Sequence, residues 1–550
     1  MIINGARILV EELIRQGVDK VFGYPGGAVL DIYDELYKCS DRIEHIIGAH
    51  EQGAAHAADG YARVTGKAGV VIATSGPGAT NLVTGIANAY LDSVPMVAIT
   101  GNVAESMLGK DSFQEVDIVG ITLPIVKHSY IARDVNELEN IISEAFMLAQ
   151  SGRKGPVLID IPKSTQKAVC EYKGSVDIKE RKLKNNVDLT EAIEAIKASK
   201  RPYIYCGGGA ISAEIEEEIL ELSKKIEAPI GLSMMGLTAV PGSYDLNLGM
   251  TGMHGRLASI IAQAEADLLI GIGVRFSDRA TGNVDEYRKN CKIIQIDIDD
   301  VEFGKNIPDI VELHGDAKEI VRNLIDSLPQ MEHKEWCDKL LKQKAIDDTP
   351  RKPNGFVPRN IIRAINDYVE DETVIATDVG QHQMWTMQHY RFEKPRTLLT
   401  SGGLGTMGYG LGAAIGGCVA NDNKRTVLFT GDGSFGMNLN ELSTAVSQKL
   451  PILILLFNNN TLGMVRQWQK MFYEERFSET TLNRKTNYVD LAKAFGAEGE
   501  SVSSMEELNS VLERGLPEDG PFLLECLIDI DELVLPMIPA GGSYKDLVVD

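Results

Sequence analysis

Two apolar runs that each end in polar side chains constrain this chain more than anything else in it. They are "TVLFTGDG" from Thr426 and "PILILLFNNN" from Pro451, with "NLNELSTAVSQ" between them. The runs are continuous and rich in Val, Ile and Leu, as parallel strands buried on both faces are. Leu439, Leu442, Ala445 and Val446 recur between them at helical spacing. A strand–helix–strand unit of this length makes a right-handed crossover, which returns the second strand parallel to the first. As neighbours about 4.8 Å apart, the strands would share one carboxyl edge, the edge at which open α/β sheets bind ligands. Asp432 and Asn459, 27 residues apart, would meet there. One anionic and one neutral oxygen ligand, with a carbonyl from the following loop, suit a hard cation such as Mg²⁺ that keeps positions open for phosphate oxygens. The competing reading is an Asp-Gly hairpin turn followed by capping asparagines. Spacing alone leaves both open.

The same alternation of short apolar strands and helical patterns occurs three times. It predicts three doubly wound parallel-sheet α/β domains, over residues 1–165, 189–330 and 355–540, with a tail over 541–550. The charged, strand-poor stretch "QKAVCEYKGSVDIKERKLKNNVD" reads as a linker between the first two. A net charge of −23 argues against nucleic acid or an anionic membrane as partner. Seven scattered cysteines without a CxxC pair suggest reduced thiols and a cytoplasmic protein. The opening "MIINGARILVEELIRQGV" is an amphipathic helix with Glu11 and Glu12 rather than a signal peptide. No apolar run has the length needed to span a bilayer.

Other motifs carry chemistry only in context. "SGGLGTMGYGLGAAIGG" (401–417) contains GxGxxG but follows no clear strand, so its glycines read as close backbone approach and tight helix packing. "YCGGGAIS" (205–212) reads as a plain strand-to-helix turn. "GAHEQGAAHAADGYARVTG" (48–66) is not a zinc motif, because His50 and His56 are six apart and fall on different helix faces. Its Glu51 is either a helix N-terminal charge or a partly buried acid with a raised pKa. "TSGPGATN" (74–81) follows a strand, opens a helix, and presents backbone N–H groups suited to a polar ligand.

Taken in order, "VFGYPGGAVLDIYD", "HEQGAAHAADGYAR", "SGPGATN", "SFQEVDIVG", "GPVLIDIPK", "GMHG", "GVRFSDRATG", "VGQHQMW", "GGLGTMGYG", "GDG" with "NN", "GMVRQWQ" and "LPMIPAGG" resemble the thiamine diphosphate enzymes. More narrowly, they resemble the catalytic large subunits of acetohydroxyacid (acetolactate) synthase, from about residue 3 to residue 545. The resemblance implies Mg²⁺ on Asp432, Asn459 and the Thr461 carbonyl. Gly380, Gln381, His382, Gly433, Ser434 and Gly463 would line the diphosphate, with Met407 as a wedge under the cofactor. Glu51 would bond the pyrimidine ring, and Pro77 and Asn81 would sit close to that ring from the other domain. Gly27 and Met464 belong to the same expected cofactor set.

FAD is implied in the central domain, without redox work in the main reaction. Arg153, His254, Arg275, Asp297, Asp299 and Asp316 are its expected contacts. Gln114, Phe113, Lys163, Arg279, Met464 and Trp468 would form the substrate channel, with Arg279 partnering a keto acid carboxylate. The implied reaction removes CO₂ from pyruvate through the acidic thiazolium C2–H of the cofactor. It joins the remaining two-carbon unit to pyruvate or 2-oxobutanoate, giving 2-acetolactate or 2-aceto-2-hydroxybutanoate. A homodimer or homotetramer and a small regulatory subunit are implied as well. The alternative is a FAD-independent catabolic acetolactate synthase or another thiamine diphosphate carboligase. Gly412, Ser277 and Ala540 depart from the family pattern.

Overall fold

The computed structural model describes residues 1–174 and 187–549. Three six-stranded sheets, parallel throughout, organise the chain. The first contains β1 Lys20–Tyr24, β2 Glu44–Ile47, β3 Gly69–Ala73, β4 Met96–Asn102, β5 His128–Ile131 and β6 Pro156–Pro162, in spatial order 2-1-3-4-6-5. The central sheet contains β7 Pro202–Cys206, β8 Ile230–Leu232, β9 Asn247–Met250, β10 Leu268–Ile272, β11 Lys292–Asp297 and β12 Val311–His314. Its order is 9-8-7-10-11-12. The third contains β13 Val374–Thr377, β14 Leu398–Leu399, β15 Thr426–Gly431, β16 Ile452–Asn458, β17 Glu498–Val502 and β18 Phe522–Leu527, in order 14-13-15-16-18-17. The first and third sheets therefore share one topology. The central sheet has a different one, with its chain reversal between β7 and β10.

The central strands are buried along their whole length, with every residue of β3, β4, β6, β15 and β16 buried. That burial explains why they read as unbroken apolar runs rather than alternating ones. β15 and β16 are parallel neighbours, as their spacing predicts, in a register that sets Gly431 opposite Phe457. The crossover between them is not one helix. It is a helix over Asp432–Asn438, a 3-10 turn over Leu439–Glu441, and a second helix over Leu442–Ser447.

The first unit runs past the boundary expected at residue 165. Val169–Glu171 pairs antiparallel with Ile2–Asn4, and the Tyr172 hydroxyl donates to Glu12 at 2.8 Å. Three residues of strand flanked by charges gave no periodicity, and only the partner strand makes them regular. Most of the rest of the expected linker lies outside the described residues.

The first and third units pack through α1 Glu51–Thr65 and α2 Gly410–Ala420. The contact is backbone on backbone. A Cβ on Gly416 would overlap the Ala57 carbonyl, one on Gly60 the Ala413 carbonyl, and one on Gly412 would lie 2.7 Å from the Gly53 carbonyl oxygen. The glycines of 401–417 thus do the close packing expected of them. Among the described residues no helix is long and apolar enough to cross a membrane.

Candidate functional site

Three adjacent strands of the third sheet end at one edge, and each leads toward a helix N-terminus. Beyond β13 lies Gln381–His389, beyond β15 lies Asp432–Asn438, and beyond β16 lies Gly463–Phe472. Helix N-termini present unpaired N–H groups and partial positive charge, so their convergence suits a phosphate-bearing ligand. The three are close. A Cβ on Gly463 would overlap Gln381 Oε1, and one on Gly431 would lie 2.9 Å from His382 Nδ1.

Asp432 and Asn459 are the first residues beyond β15 and β16, and both are buried. The Asp432 carboxylate accepts the backbone N–H of Gly433 at 3.0 Å and that of Asn460. Burial outweighs those bonds and pushes its pKa up to about 6. A carboxylate held at this cost in charge is relieved by a hard cation. Asn459 Nδ2 donates to Gln381 Oε1 at 3.4 Å, which assigns the other amide atom, Oδ1, as the available oxygen. Thr461 is buried, with its hydroxyl donated to the Thr480 carbonyl at 2.7 Å. Carboxylate, amide oxygen and loop carbonyl make a donor set of oxygens that fits Mg²⁺.

His382 Nε2 is buried without a hydrogen-bond partner among the described residues, and burial lowers the ring's pKa to about 3, so it is neutral. Ser434 donates to the Val379 carbonyl at 2.6 Å and keeps lone pairs and a neighbouring backbone N–H for a ligand. Gln381 is engaged by its protein neighbours: Nε2 donates to Gln467 at 3.0 Å and to the Glu532 carbonyl at 2.9 Å. It orients Asn459 rather than reaching for a ligand with a free amide.

The Met407 loop is tied down from two directions. Asp378, at the end of β13, accepts the N–H of Gly408 at 2.8 Å and that of Val379 at 2.9 Å. From the first unit, Asn88 Oδ1 accepts the Ser401 hydroxyl at 2.5 Å, and Asp92 accepts the N–H groups of Gly402 and Gly403. Arg63 joins Asp92 to the buried Asp59, which also accepts the Tyr409 hydroxyl at 2.6 Å. Met407 itself lies beside Gly433, 3.8 Å from where a Cβ there would be.

A second group forms on the first unit. Glu51 opens α1 and accepts Asn81 Nδ2 at 2.9 Å, and Gly78 lies against its other oxygen. The helix Pro77–Asn81 starts after Gly76 at φ +61°, where a side chain would run into Gln114. Lys163 donates to the Gly27 carbonyl at 2.7 Å. His50 caps α1 through Nδ1, and His56 is buried edge-on to Tyr409. Among the described residues no hydrogen bond or ion pair joins the Glu51 carboxylate to Asp432, Asn459 or Thr461.

The residues of the expected channel are spread over all three units. Phe113 is 87% exposed, and Trp468 packs against Phe472 on its own helix. Arg279 borders a cleft of about 240 Å³ lined by Met253, Ile538, Pro539 and Tyr544, far along the chain from Gln114 and Lys163.

In the central unit, the chain reversal between β7 and β10 is where doubly wound sheets of this order bind dinucleotides. Gly207 and Gly209 follow β7 and pack directly on Gly273 after β10, so backbone lines the crevice. The half-buried Arg275 makes no ion pair among the described residues, and His254 Nδ1 is buried without a partner. An anionic, hydrogen-bonding ligand fits both. Asp297, at the end of β11, has its pKa pushed up to about 6 by burial. Arg153 reaches across from the first unit to Asp299 at 3.2 Å and Glu302 at 2.6 Å. Asp316 is occupied as a helix N-cap, accepting the N–H groups of Lys318 and Glu319.

Sequence reasoning missed Asp378, Glu441, Asn88 and Asp92. Asp378 carries part of the signal that exposed Asp432, an acid just beyond a buried apolar strand and ahead of a helix N-terminus. Glu441 sits in an ordinary helical pattern and carries none.

Family models of thiamine pyrophosphate enzymes match the chain in three pieces. The N-terminal TPP binding domain matches residues 3–121, the central domain 189–324 and the C-terminal TPP binding domain 378–526. The chain is 42% identical over 546 residues to the acetolactate synthase isozyme 2 large subunit of Escherichia coli, covering 99% of both. It is 42% identical over 571 residues to a probable acetolactate synthase large subunit of Methanocaldococcus jannaschii, covering 99% of this chain and 95% of that protein. An acetolactate synthase of Arthrospira platensis is 44% identical over 572 residues, with 99% and 98% covered.

Proposed function

The chain belongs to the acetolactate synthase large subunits within the thiamine pyrophosphate enzymes, and from that premise we propose how its residues divide the work. It catalyses thiamine diphosphate-dependent decarboxylation of pyruvate and ligation to a second 2-keto acid, as in branched-chain amino acid biosynthesis. The observation that carries the division is the placement of Asp432 and Asn459 as first residues beyond paired strands, beneath three helix N-termini.

Asp432, Asn459 and the Thr461 carbonyl hold Mg²⁺, and the N–H groups at Gly380, Gly433, Ser434 and Gly463 take the diphosphate oxygens. Bound there, the cofactor would supply an acidic ring carbon whose conjugate base is nucleophilic toward a keto group, and a cationic ring able to accept the electrons left by departing CO₂. Met407 shapes its seat from below, held by Asp378 and by the Asn88 and Asp92 contacts. Glu51 shares a proton with the pyrimidine ring, and Asn81 fixes its carboxylate. Lys163, Gln114, Phe113, Met464, Trp468 and Arg279 line the approach, with Arg279 facing the keto acid carboxylate. Excluding water there keeps the reacting carbon from being protonated prematurely.

The Glu51 carboxylate makes no hydrogen bond to Asp432, Asn459 or Thr461 of its own chain, which supports a homodimer in which each chain completes the other's site. FAD occupies the β7–β10 crevice, with Arg275, His254, Arg153 and the acids Asp297 and Asp299 around it. Asp316 acts there through its helix cap. The relatives named large subunits support a small regulatory subunit as partner. The seven unpaired cysteines and the acidic surface support a cytoplasmic location.

Product analysis with pyruvate and 2-oxobutanoate together, with and without FAD and Mg²⁺, tests this reading. Both acetohydroxy acids are expected, with loss of activity when either FAD or Mg²⁺ is withheld. Full activity without FAD would favour the catabolic alternative, and acetaldehyde as sole product would refute the ligation step.

A further inference from the structure

Glu441 is a buried carboxylate of the third unit that grips the backbone of the first at the turn carrying Glu51. It lies on the 3-10 turn that follows the Asp432 helix and is 1% exposed. Its Oε1 accepts the N–H of His50 at 2.9 Å and that of Ala49 at 3.1 Å. Its Oε2 accepts the Ala49 N–H at 3.1 Å and the Thr444 hydroxyl at 2.8 Å. These N–H groups lead into α1, where an anion is stabilised by both the unpaired donors and the helix dipole. The position opposite is kept clear: a Cβ on Gly53 would overlap the Glu441 carboxylate. Glu51 is the next residue after His50, so whatever fixes His50 fixes the direction of the Glu51 side chain.

We propose that Glu441 is a positioning residue for Glu51, setting the acid against the cofactor's ring from the neighbouring unit of the same chain. The proposal rests on the reading of Glu51 given above. It also follows that one stretch of chain carries Asp432 at its start and, nine residues on, the group that aims Glu51. If each chain completes its partner's site, this stretch contacts both sites of a dimer.

The test compares Glu441→Ala, Glu441→Gln, Gly53→Ala and Glu51→Gln in the full-length chain. Two readouts are taken: amide hydrogen exchange of residues 48–53 without cofactor, and hydrogen–deuterium exchange at C2 of bound thiamine diphosphate. Glu441→Ala should speed exchange at the Ala49 and His50 amides. It should also slow C2 exchange on the order of 10- to 100-fold, since misplacing a reacting group by about 1 Å costs about 100-fold. Mg²⁺ uptake, which Glu441 does not touch, should stay at the parent level. Glu441→Gln should restore most of the rate, because its amide oxygen still accepts both N–H groups while its NH₂ faces the Thr444 hydroxyl. Gly53→Ala should mimic Glu441→Ala by pushing the carboxylate aside.

A parent C2 exchange rate in folded Glu441→Ala, beside a slow Glu51→Gln, overturns the positioning role. A parent rate in Glu51→Gln overturns the reading beneath it instead. If Glu441→Ala does not fold, Gly53→Ala decides: slowed C2 exchange supports the role, and an unchanged rate overturns it.

Discussion

Asp378 offers the sharpest quantitative test, because it does two separable things. It is buried at the end of β13 and accepts N–H groups from Val379, Gly408 and Gly410. Burial outweighs these bonds and raises its pKa from 3.8 to about 6. About two units at 1.36 kcal/mol each correspond to about 3 kcal/mol. The native carboxyl holds its proton more tightly than the unfolded one does. Its contribution is therefore fully present below about pH 3.8 and is lost as pH rises through about 6. Asp378→Asn keeps an acceptor oxygen but cannot ionise, so it should escape this loss and gain about 3 kcal/mol on the parent between pH 4 and 7.

Asp378→Ala instead orphans three buried N–H groups at about 1–3 kcal/mol each, or roughly 3–9 kcal/mol in all. Both effects should concentrate in the Met407 loop. Amide exchange at Gly408 and Gly410 reports that loop directly, without assuming that a chain of three sheets unfolds in one step. Parallel pH profiles for parent and Asp378→Asn would refute the burial argument. Unchanged amide protection and cofactor affinity in Asp378→Ala would refute the anchoring of Met407.

Three further outcomes are expected. Glu51→Gln should fold and take up Mg²⁺ normally, while turnover and C2 exchange fall by about 10²–10⁴-fold, the usual worth of a general acid–base group; exchange at the parent rate would count decisively against the assignment. Asp432→Ala should abolish Mg²⁺-dependent cofactor binding, measured by calorimetry, with the fold intact by circular dichroism; undiminished binding would move the metal elsewhere. Trp468→Leu should shift the product ratio toward acetolactate at similar total turnover, as a lost methylene contact is worth about 1–3 kcal/mol; an unchanged ratio would remove Trp468 from the second-substrate pocket.

What the sequence by itself determined is local. An apolar run, a helical pattern and another apolar run define a parallel pair, because strand burial and crossover handedness act over a few dozen residues. The parallel pairing of β15 and β16 was legible in that pattern, while their register and the meeting of Asp432 and Asn459 came from the structure. The family motifs, matched in order, extended the reading to cofactor and reaction. What only the tertiary structure decided is long-range. Glu441 meets Ala49 across 392 positions, and Asp92 meets Gly403 across 311. Nothing in "NELST" marks its glutamate as different from a solvated helix charge, because the partner is a backbone N–H, which has no side-chain identity to read. Asp316 shows the converse. It lies in a motif that pointed to the cofactor, yet two N–H groups of its own helix take its carboxylate. The closing of the channel is longer-ranged still. Phe113 lies exposed on the first unit, whereas Arg279 borders a cleft on the central one. Sequence pattern records how each segment buries its own apolar face, whereas a site built between units depends on how those finished faces pack together.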